Sequence, residues 1–230
     1  MWTRKELKTN AKGLLKANYW KVFLASVVIS LFTSASSSSS SQSVKEEGSE
    51  AFAQMGSMDL SALLVGLGIV LSATLVMLVI AVLFTAFVAN PFKVGAQKLL
   101  LNCKQNNAKC GDLLFAFKNS YVNVAKTMFL QNLFIGLWSL LFIIPGIVKM
   151  YQYRMVVYLM AENPDMNWKE ALAKSKEMMN GQKWNAFVLD LSFIGWHILG
   201  ICTLGIVETF YTLPYSLLTN AELYYALKEN

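Results

Sequence analysis

The feature that most constrains this chain is a run of thirty residues, Leu60 to Ala89, that holds no charged side chain. A helix needs about 20 apolar residues to cross the hydrocarbon core of a bilayer. A helix on the surface of a soluble protein keeps a polar face, which this run lacks. Only 15% of the whole chain is charged, against about 25% in soluble domains. The sequence therefore predicts an integral membrane protein.

Other apolar stretches predict the remaining spans. The first is Val22 to Ala35, which also resembles the apolar part of a signal peptide, but a basic segment of about twenty residues precedes it and favours an uncleaved span. Residues 128–162 predict a hairpin of two short spans, 128–144 and 147–162, that turns near Pro145-Gly146. Residues 184–227 are too long for one span and predict a second hairpin, turning near 202–206. The expected fold is all-α: a single membrane domain over 1–230, with about six transmembrane helices as three hairpins, although five spans remain an alternative.

Charge predicts the orientation of the spans. Residues 1–21, 92–126 and 163–183 are basic, and lysine and arginine accumulate in cytoplasmic segments of membrane proteins. We therefore expect both termini in the cytoplasm. Residues 36–59 are rich in serine and carry acidic residues, which predicts an extracytoplasmic loop that cannot build a core.

The first basic segment has the spacing of an amphipathic helix. Four of its lysines fall on one helical face and are predicted to contact anionic lipid headgroups at the membrane surface: Lys5, Lys8, Lys12 and Lys16. The alternative is that this segment only anchors the chain and sets its orientation.

Five ionisable residues fall within the predicted spans, where a charge is costly and usually has a partner or faces a cavity: Lys149, Arg154, Asp190, His197 and Glu208. Asp190 and His197 lie about 10 Å apart along one helix at 1.5 Å per residue, too far for a catalytic dyad. Similar depths predict two interhelical pairs, Arg154 with Asp190 and Lys149 with Glu208. The alternative is that these side chains line a transport path or a ligand site.

No standard enzyme signature is present in this sequence. It has no P-loop, and its single histidine provides neither a zinc site nor a catalytic triad. Its three cysteines show no Cys-x-x-Cys spacing, so neither a disulfide framework nor a metal site is expected. The basic residues lie beside apolar spans, which argues against nucleic acid as a partner. We expect a protein that is not an enzyme and that binds no metal and no cofactor.

Several long strings resemble one bacterial family. They are "LWSLLFIIPGIVKMYQYRMVVYLMAENPD", "ALAKSKEMMNGQKWNAFVLDLSFIGW" and "LGI…LPY", and the opening basic helix and "NPF…G" are also similar. The family comprises integral membrane proteins of Gram-positive bacteria and is known as domain of unknown function 975 (DUF975). The resemblance implies a multi-pass protein of the plasma membrane, and it brings no established activity and no catalytic residues.

Three functions remain open from the sequence, and a membrane-embedded enzyme is the least favoured of them. The first is a non-enzymatic role in membrane or cell-envelope homeostasis, exerted by binding anionic lipid or a membrane-protein partner, including a second copy of the chain. The alternative is a small transporter or export accessory, in which Arg154, Asp190, His197 and Glu208 line a polar path.

Overall fold

The computed structural model describes residues 2–34, 60–105 and 107–229, and all regular secondary structure within them is helical. The serine-rich loop predicted at 36–59 lies outside these residues. The chain divides into two compact units, one made of Met1–Ile29 with Asn90–Asn230 and the other of Ser30–Ala89. The predicted all-α fold is confirmed over these residues.

The unit Ser30–Ala89 contains the uncharged run that dominates the sequence. Helix α2 (Leu60–Phe84) is followed by a turn of π-helix, Thr85–Ala89. Every residue from Leu64 to Phe84 is exposed. A helix that is apolar on all sides and exposed along this length is suited to contact with lipid.

The larger unit includes helix α1 (Arg4–Ser34) as far as Ile29. This helix joins the predicted basic segment and the predicted first span. The helix is irregular at Asn18, where φ is −128° and ψ is 29°. Leu7, Ala11 and Leu15 are buried, because their spacing of four places them on one helical face. This apolar face therefore packs against other parts of the protein. The prediction was instead a helix that lies on the membrane surface.

The rest of the larger unit is a series of mostly short helices. In chain order they are α3 (Asn90–Lys104), a 3₁₀ turn (Cys110–Leu114), α4 (Phe115–Lys118), α5 (Tyr121–Leu141), α6 (Ile143–Gln152), α7 (Val156–Glu162), α8 (Trp168–Met178), α9 (Lys183–Leu191), α10 (Ile194–Cys202), a π-helical turn (Glu208–Thr212) and α11 (Leu213–Lys228).

The hairpin predicted near Pro145-Gly146 is formed by α5 and α6. The chain is extended at Phe142, which separates the two helices. A Cβ atom at Gly146 would lie only 2.3 Å from Ser139 Oγ and 2.7 Å from Ser139 Cα. Glycine at this position therefore allows the two helices to approach each other closely.

The second predicted hairpin turns at 203–205, between α10 and the π-helical turn. Leu204 and Gly205 both have positive φ angles, 51° and 86°. Both hairpin tips expose large apolar side chains: Ile143 is 78% exposed and Leu204 is 95% exposed. Exposed apolar side chains at a tip favour contact with lipid over contact with water.

Four helices of the described part are long and apolar enough to cross a membrane: Arg4–Leu31, Leu64–Lys104, Tyr121–Leu141 and Lys183–Cys202. Six were predicted. The predicted span 147–162 is divided, because α6 ends at Gln152 and α7 begins only at Val156. The predicted last span is not among these four: α11, which follows the π-helical turn, has only 16 residues and includes the buried carboxylate of Glu222.

Polar contacts join α7, α3 and α11 at one end of the larger unit. Glu222 accepts a hydrogen bond from Lys104 at 3.2 Å, and Glu162 pairs with Lys228. Tyr224, outside the four candidate spans, donates its hydroxyl proton to Glu162 at 2.9 Å. Burial raises the pKa of this hydroxyl, and the hydrogen bond to Glu162 raises the pKa further. The hydroxyl therefore stays protonated and remains a donor.

Helix α8 shows how local sequence determines a helix end. The Asn167 side chain caps its start by accepting a hydrogen bond from the Lys169 backbone N–H at 3.0 Å. Such a cap satisfies one of the free N–H groups in the first turn. Shortly after the helix, Gly181 takes a φ of 71°, a conformation that favours glycine. The sequence string "NWKEALAKSKEMMNG" predicts a helix that stops at this glycine.

Candidate functional site

The central polar contact of the larger unit joins Arg154 to Asp190. Arg154 lies in the turn between α6 and α7, and Asp190 lies in the last turn of α9. Both terminal nitrogens of the guanidinium donate to the carboxylate, Nη1 to Oδ2 and Nη2 to Oδ1, each at 2.7 Å. A bidentate pair of this kind is among the strong hydrogen-bonded contacts in proteins.

Two further side chains complete this contact. The Tyr151 hydroxyl donates to Asp190 at 2.8 Å, and Arg154 also donates to the amide oxygen of Asn220 at 2.7 Å. The Asp190 carboxylate thus accepts three hydrogen bonds from protein groups. Its side chain is 39% exposed, whereas that of Arg154 is 18% exposed. We call these four residues the arginine cluster.

Asn220 was not among the residues predicted from the sequence. It is an amide within an apolar stretch of α11, "LPYSLLTNAELYYAL". A buried polar group usually has a hydrogen-bond partner, so this lone amide was the available signal. The sequence alone could not indicate that its partner is Arg154.

The predicted pair of Lys149 with Glu208 is wrong. Glu208 contacts His197, whose Nδ1 lies 3.1 Å from each carboxylate oxygen. The Lys149 ammonium group lies 5.0 Å from the ring centroid of Trp138, within its own hairpin. The prediction failed because similar depth in a membrane does not establish that two helices are neighbours.

Gly200 allows the contact between His197 and Glu208. A Cβ atom at position 200 would lie 2.8 Å from Glu208 Oε2 and 2.9 Å from Glu208 Cβ. The glycine thus makes room for the carboxylate beside helix α10. His197 and Asp190 have different partners, and the structure brings them into no common site.

The four lysines of the predicted headgroup face differ in their surroundings. Lys8 donates to the Ser192 backbone oxygen at 3.2 Å and lies 4.3 Å from the ring centroid of Phe193. Lys12 lies 5.7 Å from the ring centroid of Tyr215. These cation–π contacts are made within the protein. Lys5, Lys12 and Lys16 are exposed, whereas Lys8 is half-buried, so the four do not form one uniform lipid-facing set.

The structure also bears on metals and thiols. Within residues 2–34, 60–105 and 107–229, no three His, Cys, Asp or Glu side chains come together in a way that could hold a metal ion. Cys103 is buried, whereas Cys110 and Cys202 are exposed, and all three are free thiols.

A family model described as a protein of unknown function, DUF975, matches residues 140–230. The resemblance to DUF975 is confirmed over this part of the chain. The DUF975 region includes all four residues of the arginine cluster and the pair of His197 with Glu208, whereas the lysines of α1 lie outside it. No curated protein and no solved structure matches the chain.

Proposed function

We propose that this protein is a non-enzymatic membrane protein that binds anionic lipid and supports membrane or cell-envelope homeostasis. The observation that carries the proposal is the start of two candidate spans at basic residues, Arg4 and Lys183. Basic residues beside the ends of apolar helices attract the anionic headgroups of a membrane surface. The four candidate spans supply the membrane attachment.

The arginine cluster supports the non-enzymatic part of the proposal. The Asp190 carboxylate accepts hydrogen bonds from both guanidinium nitrogens and from Tyr151. Three of its roughly four lone-pair sites therefore bind protein groups, as in a carboxylate that holds helices together. In this proposal the cluster joins α6, α9 and α11 and fixes their arrangement.

The proposed location is the plasma membrane of the cell, with both termini in the cytoplasm. The excess of lysine in residues 1–21, 92–126 and 163–183 supports this orientation. The exposed apolar surface of helix α2 is available for contact with lipid, a membrane-protein partner or a second copy of the chain.

Thermal unfolding of the purified protein in detergent tests lipid binding. A ligand that binds only the folded state raises the unfolding temperature as its concentration increases. We expect a concentration-dependent rise with phosphatidylglycerol that exceeds the rise with phosphatidylcholine of the same chain length. Equal effects of the two lipids would contradict the proposal.

Transport is the second candidate function. The observation in its favour is the partial exposure of two ionisable side chains, 39% for Asp190 and 48% for His197. In proteoliposomes, an ion or solute flux that is lost on Asp190→Asn would support transport. A flux unaffected by Asp190→Asn and His197→Gln would argue against a path lined by these residues.

A further inference from the structure

Two adjoining clefts on the larger unit share the side chain of Trp184. The first cleft has a volume of about 810 Å³ and lies between the start of α1 and the start of α9. It is lined by Trp2, Thr3, Arg4, Lys5, Trp184 and Asn185, together with Val188. This lining thus combines two cationic side chains with two indole rings, and it contains no acidic side chain.

The second cleft continues from Trp184 along an apolar surface. It has a volume of about 210 Å³ and is lined by Ile147, Val148, Tyr151, Lys183, Trp184 and Phe187. Aromatic rings form one wall, since the ring centroids of Trp184 and Phe187 lie 5.3 Å apart and those of Tyr151 and Phe187 lie 6.2 Å apart. Its only charged side chain is Lys183.

The contacts of Lys8 indicate the relative direction of helices α1 and α9. The residues that line the first cleft are near the start of each helix, Arg4 on one and Trp184 on the other. One to two turns further along α1, Lys8 contacts Ser192, which directly follows α9. The two helices therefore run side by side in the same direction.

This arrangement places the first cleft at a membrane surface. Both candidate spans, Arg4–Leu31 and Lys183–Cys202, begin beside it. Tryptophan is enriched where a membrane protein passes from water to hydrocarbon, and Trp2 and Trp184 lie at this level. The apolar second cleft then borders α6 and α9, beside the exposed apolar residues Ile147 and Val148.

We propose that the two clefts together form a binding site for one anionic phospholipid. This inference rests on the proposed function and assigns its location and ligand. The phosphate binds between Arg4 and Lys5, with the Asn185 amide as a further hydrogen-bond donor. One acyl chain lies along Val148 and Phe187. Lys183, which lines the second cleft next to Trp184, attracts the negative charge of the headgroup.

The combination of charge and apolar surface argues for a phospholipid over a soluble phosphate compound. A soluble phosphate could use the cationic cleft but would gain nothing from the adjoining apolar cleft. A zwitterionic lipid could use the apolar cleft but carries no net negative charge to offset the basic residues. An anionic phospholipid is complementary to both parts.

The arginine cluster supports one wall of this site. Tyr151 lines the apolar cleft and also donates its hydroxyl proton to Asp190. The polar contact therefore fixes the ring against which the acyl chain is proposed to lie. In this way the structural cluster and the lipid site are connected through one side chain.

Charge-neutralised variants of the full-length protein test the headgroup contact. In detergent, native mass spectrometry measures the affinity of Arg4→Gln/Lys5→Gln for phosphatidylglycerol. A basic residue near an anionic surface contributes about fivefold to binding, so we expect affinity to fall roughly 10- to 30-fold. Lys109→Gln/Lys118→Gln is the matched control, because these exposed lysines carry the same charge and lie outside both clefts. Its affinity should stay within about twofold of that of the unaltered protein.

A second pair of variants tests the acyl cleft without changing charge. Val148→Trp fills the cleft and should weaken binding of phosphatidylglycerol several-fold. Val122→Trp, at an exposed site outside the clefts, should not. Circular dichroism and size-exclusion chromatography establish that each variant is folded before its affinity is compared.

Photocrosslinking locates the lipid directly. Phosphatidylglycerol with a photoreactive acyl chain should label peptides that contain 147–151 and 183–188, and an excess of unlabelled lipid, but not glycerol phosphate, should prevent labelling. Loss of labelling in Arg4→Gln/Lys5→Gln but not in the lysine control would support the site. Labelling and affinity that are unchanged in the cleft variants would overturn this site while leaving lipid binding intact. A protein that shows no preference for phosphatidylglycerol at all would overturn the proposed function as well.

Discussion

Substitution of Asp190 by alanine should destabilise the larger unit through the loss of a partner for Arg154. The change removes the acceptor of three hydrogen bonds, two from Arg154 at 2.7 Å and one from Tyr151 at 2.8 Å. It leaves Arg154, whose side chain is 18% exposed, with Asn220 as its remaining side-chain hydrogen-bond acceptor.

The magnitude follows from two limits. Removal of one partner from a buried ion pair costs about 3–5 kcal/mol, whereas an exposed pair contributes about 0–1 kcal/mol. Asp190 is 39% exposed, so water stabilises part of the contact, and Asn220 retains part of the hydrogen bonding of Arg154. We therefore expect a loss of about 2 kcal/mol in the free energy of unfolding. For a chain of this length that corresponds to a fall of about 4–8 °C in the unfolding temperature.

Thermal unfolding in one detergent, followed by fluorescence, measures the effect. Asp190→Asn keeps a hydrogen-bond acceptor for Tyr151, and its loss of unfolding free energy should be about half that of Asp190→Ala. Arg154→Leu/Asp190→Leu removes both charges and should recover at least half of the loss caused by Asp190→Ala, since apolar residues often replace a buried pair without cost. An Asp190→Ala protein within about 1 °C of the unaltered one, or a double variant that recovers none of the loss caused by Asp190→Ala, would refute this account.

Three smaller changes test local packing. Gly146→Val should lower the free energy of unfolding, measured by chemical denaturation, by about 1–3 kcal/mol, because the valine side chain would overlap Ser139. Gly136→Ala is the control and should show no such loss, since a Cβ atom there meets nothing within 4 Å. Gly200→Ala should displace the Glu208 carboxylate from His197, and the nuclear magnetic resonance chemical shifts of the His197 ring should then change. Unchanged shifts would show that the position of the Glu208 side chain does not depend on Gly200. Asn167→Ala should cost about 1 kcal/mol by removing the cap of α8, and an unfolding temperature equal to that of the unaltered protein would contradict the role of the cap.

The sequence allowed the helical class and both hairpin turns to be predicted, because these depend on local patterns. Uncharged runs such as Leu64–Phe84 predict spans by length alone. The turns near Gly146 and Gly205 follow from glycine and proline within apolar stretches. The local signals were weaker at 153–155, where the predicted span 147–162 is interrupted between α6 and α7.

Contacts between distant elements were harder to predict. Arg154 meets Asp190 in the structure, but Glu208 contacts His197 rather than Lys149. Depth along a span follows from counting residues, whereas the identity of the neighbouring helix depends on the packing of the whole unit. The cleft between Trp2 and Trp184 joins residues that are far apart in the sequence, and no local pattern connects them.

The lipid carried by the full-length protein out of its own membrane tests the central claim most directly. Native mass spectrometry after mild detergent extraction identifies the mass of any retained lipid, and the lipid extract of the same membrane gives the background composition. The account predicts one anionic phospholipid per chain, enriched over its share of the membrane. Retention of lipids in proportion to that background, or of none while the protein remains folded, would contradict it.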